Sequence, residues 1–180
     1  KLIYLKIKGE KMINIRKNLF ETNSSSVHAI CVAKENNYDI PKSLHFSFGE
    51  FGWEERVLSS PEMLASYLYT AIYICGEDGR YDVEDYKNYI YETLGKYGCD
   101  CTFEAPVYNE HYGWFDSGYI DHGYELVDFV DSIKHSEKRL LRYLFSPDSY
   151  IVTGNGALSK LGTTSVSGDI AGDVETLKGD

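Results

Sequence analysis

The chain reads as an α+β protein, with a small mixed or antiparallel sheet packed against about four helices. Three observations predict this class. Short apolar, β-branched runs stand near both ends, VHAICVA at 27–33 and SYIVTG at 149–154. Between them, several segments carry apolar residues at helical spacing. Strand-like and helix-like segments interleave irregularly, unlike the regular alternation of a doubly wound sheet.

The elements follow in order. VHAICVA reads as a buried strand. LHFSF at 44–48 alternates Leu44, Phe46 and Phe48 with His45 and Ser47, the period of a half-buried strand, bounded by Pro41 and Gly49. Phe48-Gly49-Glu50-Phe51-Gly52-Trp53 then marks a tight, exposed turn whose aromatics close the core or anchor a partner. Ser60-Pro61-Glu62 starts a helix. Serine caps, proline occupies the first helical position, and glutamate faces the positive end of the dipole. Leu64, Leu68, Ala71, Ile72 and Cys75 continue it, and Gly76 can end it. Asp82 caps a second helix with Tyr86, Ile90, Leu94 and Tyr97 on one face, stopped by Gly98. CTFEAPVY at 101–108 is a strand interrupted at Pro106. Residues 109–123, rich in glycine and aromatics, read as a loop. A third helix covers about 124–134, with Leu126, Val127, Val130 and Ile133 facing in. Ser136 caps a fourth that ends before Pro147. From Gly154 the text turns small, polar and free of aromatics, so 154–180 is expected to be a loosely ordered polar tail.

Composition narrows the function. Of 180 residues, 28 are acidic and 18 basic, a net charge of −10. Autonomous nucleic-acid binding is disfavoured, because phosphate recognition needs clustered lysine and arginine. A small basic patch remains around Lys134, Lys138, Arg139 and Arg142. The acidic excess maintains solubility and suits attraction to a basic partner. The 16 tyrosines suit interfaces and half-buried positions alike. No apolar run reaches the ~20 residues of a membrane span. Lys1 to Lys11 alternates charged and apolar residues, without the apolar core of a secretory leader. The expected location is therefore the cytoplasm, where Cys31, Cys75, Cys99 and Cys101 stay reduced.

Three constellations can carry chemistry. Glu21-Thr22-Asn23-Ser24-Ser25-Ser26-Val27-His28 runs into the first core strand. Glu21 can serve as acid or base, Ser24 and Ser25 as donors or nucleophiles, Asn23 as a hydrogen-bonding group, and His28 as proton carrier or ligand. The bland alternative is a turn whose Asn and Ser side chains satisfy nearby backbone. In Gly118-Tyr119-Ile120-Asp121-His122-Gly123, an Asp-His pair can ligate a metal or orient an imidazole; otherwise Asp121 or His122 caps the next helix. Cys99-Asp100-Cys101 places two thiols on one face of a strand. With His28 and His122, or His111, they can supply four zinc ligands if the segments meet, although structural zinc sites more often separate paired cysteines by two to four residues. No Walker loop, dinucleotide fingerprint, nucleophile elbow or HExxH motif is present.

IRKNLFETNSSSVHAI, then GEFGWEE before a tyrosine-rich helix, then GYIDHG, resembles a family of phage and mobile-element proteins of Firmicutes. The resemblance covers about residues 12–153. It implies a start at Met12, with 1–11 an N-terminal extension and 12–153 a single domain. Members continue the Asp-His with Gln-Ser, where this chain has Gly123 and Tyr124. The resemblance also implies an anti-CRISPR role. Cas9 holds nucleic acid in basic channels, and an acidic, tyrosine-rich domain can dock there and block nucleic-acid loading. Glu84, Asp85, Glu92, Glu125, Asp128 and Asp131 are the expected contacts, and any zinc is structural. The alternative is a small hydrolase or transferase acting on a nucleotide or host protein through Glu21, Asn23, Ser25, His28, Asp121 and His122.

Overall fold

In the computed structural model, residues 3–7, 11–15, 28–33, 38–52, 54, 56–77, 79, 81–111, 114–121 and 126–154 are described. They form an α+β fold built around one central helix. Two strands, β1 (Ile3–Ile7) and β2 (Lys11–Ile15), pair as an antiparallel hairpin that crosses position 12. The expected strand at 27–33 is β3 (Ala29–Cys31), and LHFSF supplies β4 (Ser43–Phe46), with Leu44 and Phe46 buried and His45 exposed. Next come β5 (Glu50–Phe51), β6 (Arg56–Leu58), α1 (Pro61–Glu77) and α2 (Val83–Gly95). Then follow β7 (Asp100–Phe103), β8 (Val107–Asn109), β9 (Trp114–Asp116) and β10 (Tyr119–Ile120). The order closes with α3 (Val127–Lys134), α4 (Glu137–Phe145) and β11 (Tyr150–Thr153).

The helix starts follow the local chemistry of the sequence. The Ser60 hydroxyl accepts from Met63 N at 3.3 Å, Asp82 Oδ1 from Glu84 N at 2.9 Å, and Ser136 Oγ from Arg139 N at 3.3 Å. Each satisfies an amide that the first helical turn leaves without an intrahelical partner. Helix α3 begins at Val127 after Leu126, which makes no side-chain cap bond, so Asp121 does not cap it.

Helix α1 is buried on all sides from Leu64 to Ile72, because β4, β10 and the other three helices surround it. Leu64, Leu68 and Ile72 are completely enclosed, each contributing about 2 kcal/mol of apolar transfer. The tyrosines divide in two. Tyr67, Tyr69, Tyr86 and Tyr143 are fully buried, and their hydroxyls find partners on neighbouring elements. Tyr143 donates to Leu64 O at 2.8 Å, Tyr86 to Val130 O and Tyr89 to Ile133 O at 3.1 Å, pinning helices to one another. Tyr91, Tyr97, Tyr108 and Tyr119 are exposed. Tyr97 thus leaves the buried face that its spacing predicts; its hydroxyl donates to Glu137 at 2.7 Å instead.

Strand pairing is local and mixed. β4 and β7 are parallel, β5 and β10 are parallel, and β11 lies between antiparallel β3 and β6. Ser149, just before β11, accepts from Ala33 N at 2.9 Å and donates to Arg142 O at 2.7 Å, which ties β3, α4 and β11 together. The stretch expected as a loop over 109–123 instead contributes β9 and β10. Their length explains the difference: strands of three and two residues are too short to show alternation, and pairing partners define them. The segments 16–27, 122–125 and 155–180, including most of the expected polar tail, lie outside the described residues. Among the described residues, no helix is long and apolar enough to cross a membrane.

Candidate functional site

The aromatic-glycine segment after β4 is not the exposed turn its composition suggests. Phe51 is 7% exposed and Gly52 is buried. The cause is the parallel pairing of β5 with β10. Tyr119 N donates to Gly49 O at 2.9 Å, and Asp121 N donates to Phe51 O at 2.9 Å. Two glycines permit this approach. Gly118 has φ +78, and a Cβ there would sit 2.5 Å from Gly49 O. Gly52 has φ +126, and a Cβ there would sit 2.4 Å from Asp121 Cβ and 3.3 Å from His28 Nε2. The 2.5 and 2.4 Å separations are too short for a real side chain.

Gly52 therefore marks where two distant segments meet. His28, entering β3, and Asp121, leaving β10, converge on the space that a side chain at position 52 would fill. The imidazole is held from behind: His28 Nδ1 lies 2.9 Å from the Tyr67 hydroxyl of α1. Tyr67 is fixed in turn by Phe51 and Phe129, with ring centroids 5.1 and 6.3 Å away. Burial raises the Tyr67 pKa well above the ordinary tyrosine value, so this hydroxyl stays protonated. The bond at Nδ1 leaves Nε2 turned toward Gly52 and Asp121. Asp121 Oδ1 accepts from the Tyr119 hydroxyl at 3.1 Å. Tyr119 is 43% exposed. Its pKa is raised, chiefly by desolvation and then by the bond to Asp121.

The structure thus brings together two of the residues singled out in the sequence, His28 and Asp121. Glu21, Asn23, Ser24, Ser25 and His122 lie outside the described residues. Tyr67, Tyr119 and Gly52 were not anticipated as members. Tyr67 reads as one more apolar position of α1, and nothing in its spacing signals a hydroxyl aimed at an imidazole.

The thiols show a different environment. Cys99 and Cys101 are both buried, as the shared strand face requires, and Cys101 Sγ lies 3.8 Å from Cys99 O. Burial pushes the Cys101 thiol up to about 12 and raises Cys99 as well. Among the described residues, no group of three or more His, Cys, Asp or Glu side chains is placed to hold a metal ion.

The acidic residues expected as partner contacts are unequal. Asp85 pairs with Lys134 at 2.7 Å and Glu84 with Lys87 at 2.7 Å. Glu92 and Asp128 are exposed, Asp131 is half-buried, and Glu125 lies outside the described residues. The Asp85 pair also engages Lys134 of the expected basic patch, whose ammonium sits 5.6 Å over the Tyr86 ring. Compared with family models, curated proteins and solved structures, the chain matches none.

Proposed function

We propose that the chain is a small enzyme of the hydrolase or transferase type, acting on a nucleotide or a host protein, with His28 as its proton carrier. The observation that carries this reading is the close approach of both His28 Nε2 and Asp121 to Gly52. A proton carrier needs one ring nitrogen oriented while the other takes the proton; here that second nitrogen, Nε2, is buried beside Gly52. Tyr67 supplies the orientation at Nδ1. Asp121 supplies a carboxylate that stabilises the imidazolium formed when Nε2 takes a proton. Tyr119, through its hydroxyl, holds that carboxylate in place. In this reading Glu21 and His122 are further acid–base groups, Asn23 a substrate-binding group, and Ser24 and Ser25 candidate nucleophiles, three or four positions ahead of His28.

The test is turnover. The full chain is incubated with ATP, GTP and NAD, each with and without purified Cas9, and products are followed by mass spectrometry. His28→Gln and Asp121→Asn are expected to lower any turnover by about a hundredfold or more, with the circular dichroism spectrum retained. Absence of turnover by the wild-type chain on every substrate would overturn the reading, as would full activity in both variants.

A second reading is a stoichiometric inhibitor of a basic nucleic-acid-handling host nuclease, with Cas9 as the leading partner. It is favoured by the outer face of α2, where Tyr91 is 58% exposed beside Glu92, in a chain of net charge −10. Inhibition of Cas9 cleavage at a one-to-one ratio, unchanged by His28→Gln, supports this reading over the enzymatic one.

A further inference from the structure

Between Lys96 and Lys134 the chain carries eight carboxylates and no lysine or arginine. Most of the excess negative charge of the protein is concentrated there. The β8–β9 hairpin lies in the middle of this stretch. Val107 is 66% exposed and Tyr108 52% exposed. They are consecutive strand residues and point to opposite faces, so neither face of the hairpin is fully covered. Val107 is opposite Asp116, and Glu110 is exposed in the turn. Downstream, β9 leads through Ser117 and Gly118 into Tyr119, a third large exposed side chain. A two-stranded hairpin with solvent on both faces is marginal in water. Exposed aromatics set beside exposed carboxylates are matched to a cationic partner. Aromatic rings take up guanidinium and ammonium groups, and carboxylates pair with them.

We infer that the β8–β9 hairpin is a docking arm for an arginine- or lysine-rich protein surface. Charge selects this occupant. Nucleic acid, and equally a second copy of this acidic chain, meets like charge at Glu110 and Asp116. A neutral apolar partner leaves Glu110 and Asp116 facing it unpaired. The arm stands independently of His28: it presents a binding surface, and the imidazole site performs chemistry.

The test is a fluorescence anisotropy titration of the full chain with a labelled deca-arginine peptide at moderate salt. Tyr108→Ser and Glu110→Lys are each expected to weaken binding about tenfold, the effect of losing a principal contact. Asp39→Lys, at an exposed position ahead of β4, makes the same change of net charge and is expected to cost less than about twofold, the small effect of a charge outside the contact. Equal losses for Asp39→Lys and Glu110→Lys would overturn the inference, because overall charge alone then explains binding. Tighter binding of a single-stranded oligonucleotide or a neutral glycine-serine peptide would also overturn it. Because both variants change exposed residues, a loss of binding with an unchanged circular dichroism spectrum is a loss of the surface and not of the fold.

Discussion

The imidazole of His28 and the hydroxyl of Tyr67 stand 39 positions apart in the chain and 2.9 Å apart in the fold. One belongs to the approach to an edge strand and the other to the central helix. This bond sets which nitrogen of His28 faces Asp121, and it depends on a ring that is also part of the hydrophobic core.

Tyr67→Phe keeps the packing against Phe51 and Phe129 and deletes the hydrogen bond. Its expected cost is about 1 kcal/mol in urea unfolding. Tyr67→Ala removes the ring too and is expected to cost about 3–5 kcal/mol. Equal costs for the two variants would show that the hydroxyl, not the ring, dominates, contrary to this account.

Gly52→Ala is expected to destabilise the fold by about 2 kcal/mol or more. The backbone at φ +126 disfavours any side chain, and the new methyl group would press on Asp121. Chemical denaturation measures this directly. A change below about 0.5 kcal/mol would mean that β5 and β10 separate easily, so that the close approach of Asp121 to Gly52 is not enforced.

Stability is expected to fall as pH rises from about 9 toward 12. Burial holds the Cys101 proton up to about 12, against an ordinary value of 9.0. Over that window the folded chain keeps a proton that the unfolded chain has released, so rising pH favours unfolding. Tyr67, Tyr86 and Tyr143, all raised above 10.0 by burial, act in the same direction at the alkaline end. Urea midpoints near neutrality and at about pH 10 check this; an unchanged or higher alkaline midpoint would contradict it.

Much of the fold was legible because its signals are local. The caps at Ser60, Asp82 and Ser136 act within three residues, so the sequence alone announces them. The final strand was expected within 149–154 from its β-branched residues, and it forms at 150–153 with all four residues buried. Strands β9 and β10 were missed because each is only two or three residues long and exists through its partner. The fate of the 16 tyrosines was legible only in part: helical spacing set Tyr86 on the inward face with Ile90 and Leu94, where it is buried, but set Tyr97 there too, and Tyr97 is exposed.

Helix boundaries, an α+β composition and a strongly acidic surface belong to the sequence itself, because capping, spacing and charge act between near neighbours or sum over the whole chain. The meeting of His28, Tyr67 and Asp121 belongs to the tertiary structure. It needs a parallel pairing between residues about seventy positions apart and a glycine at their junction, and such long-range closure leaves no mark on the residues around it.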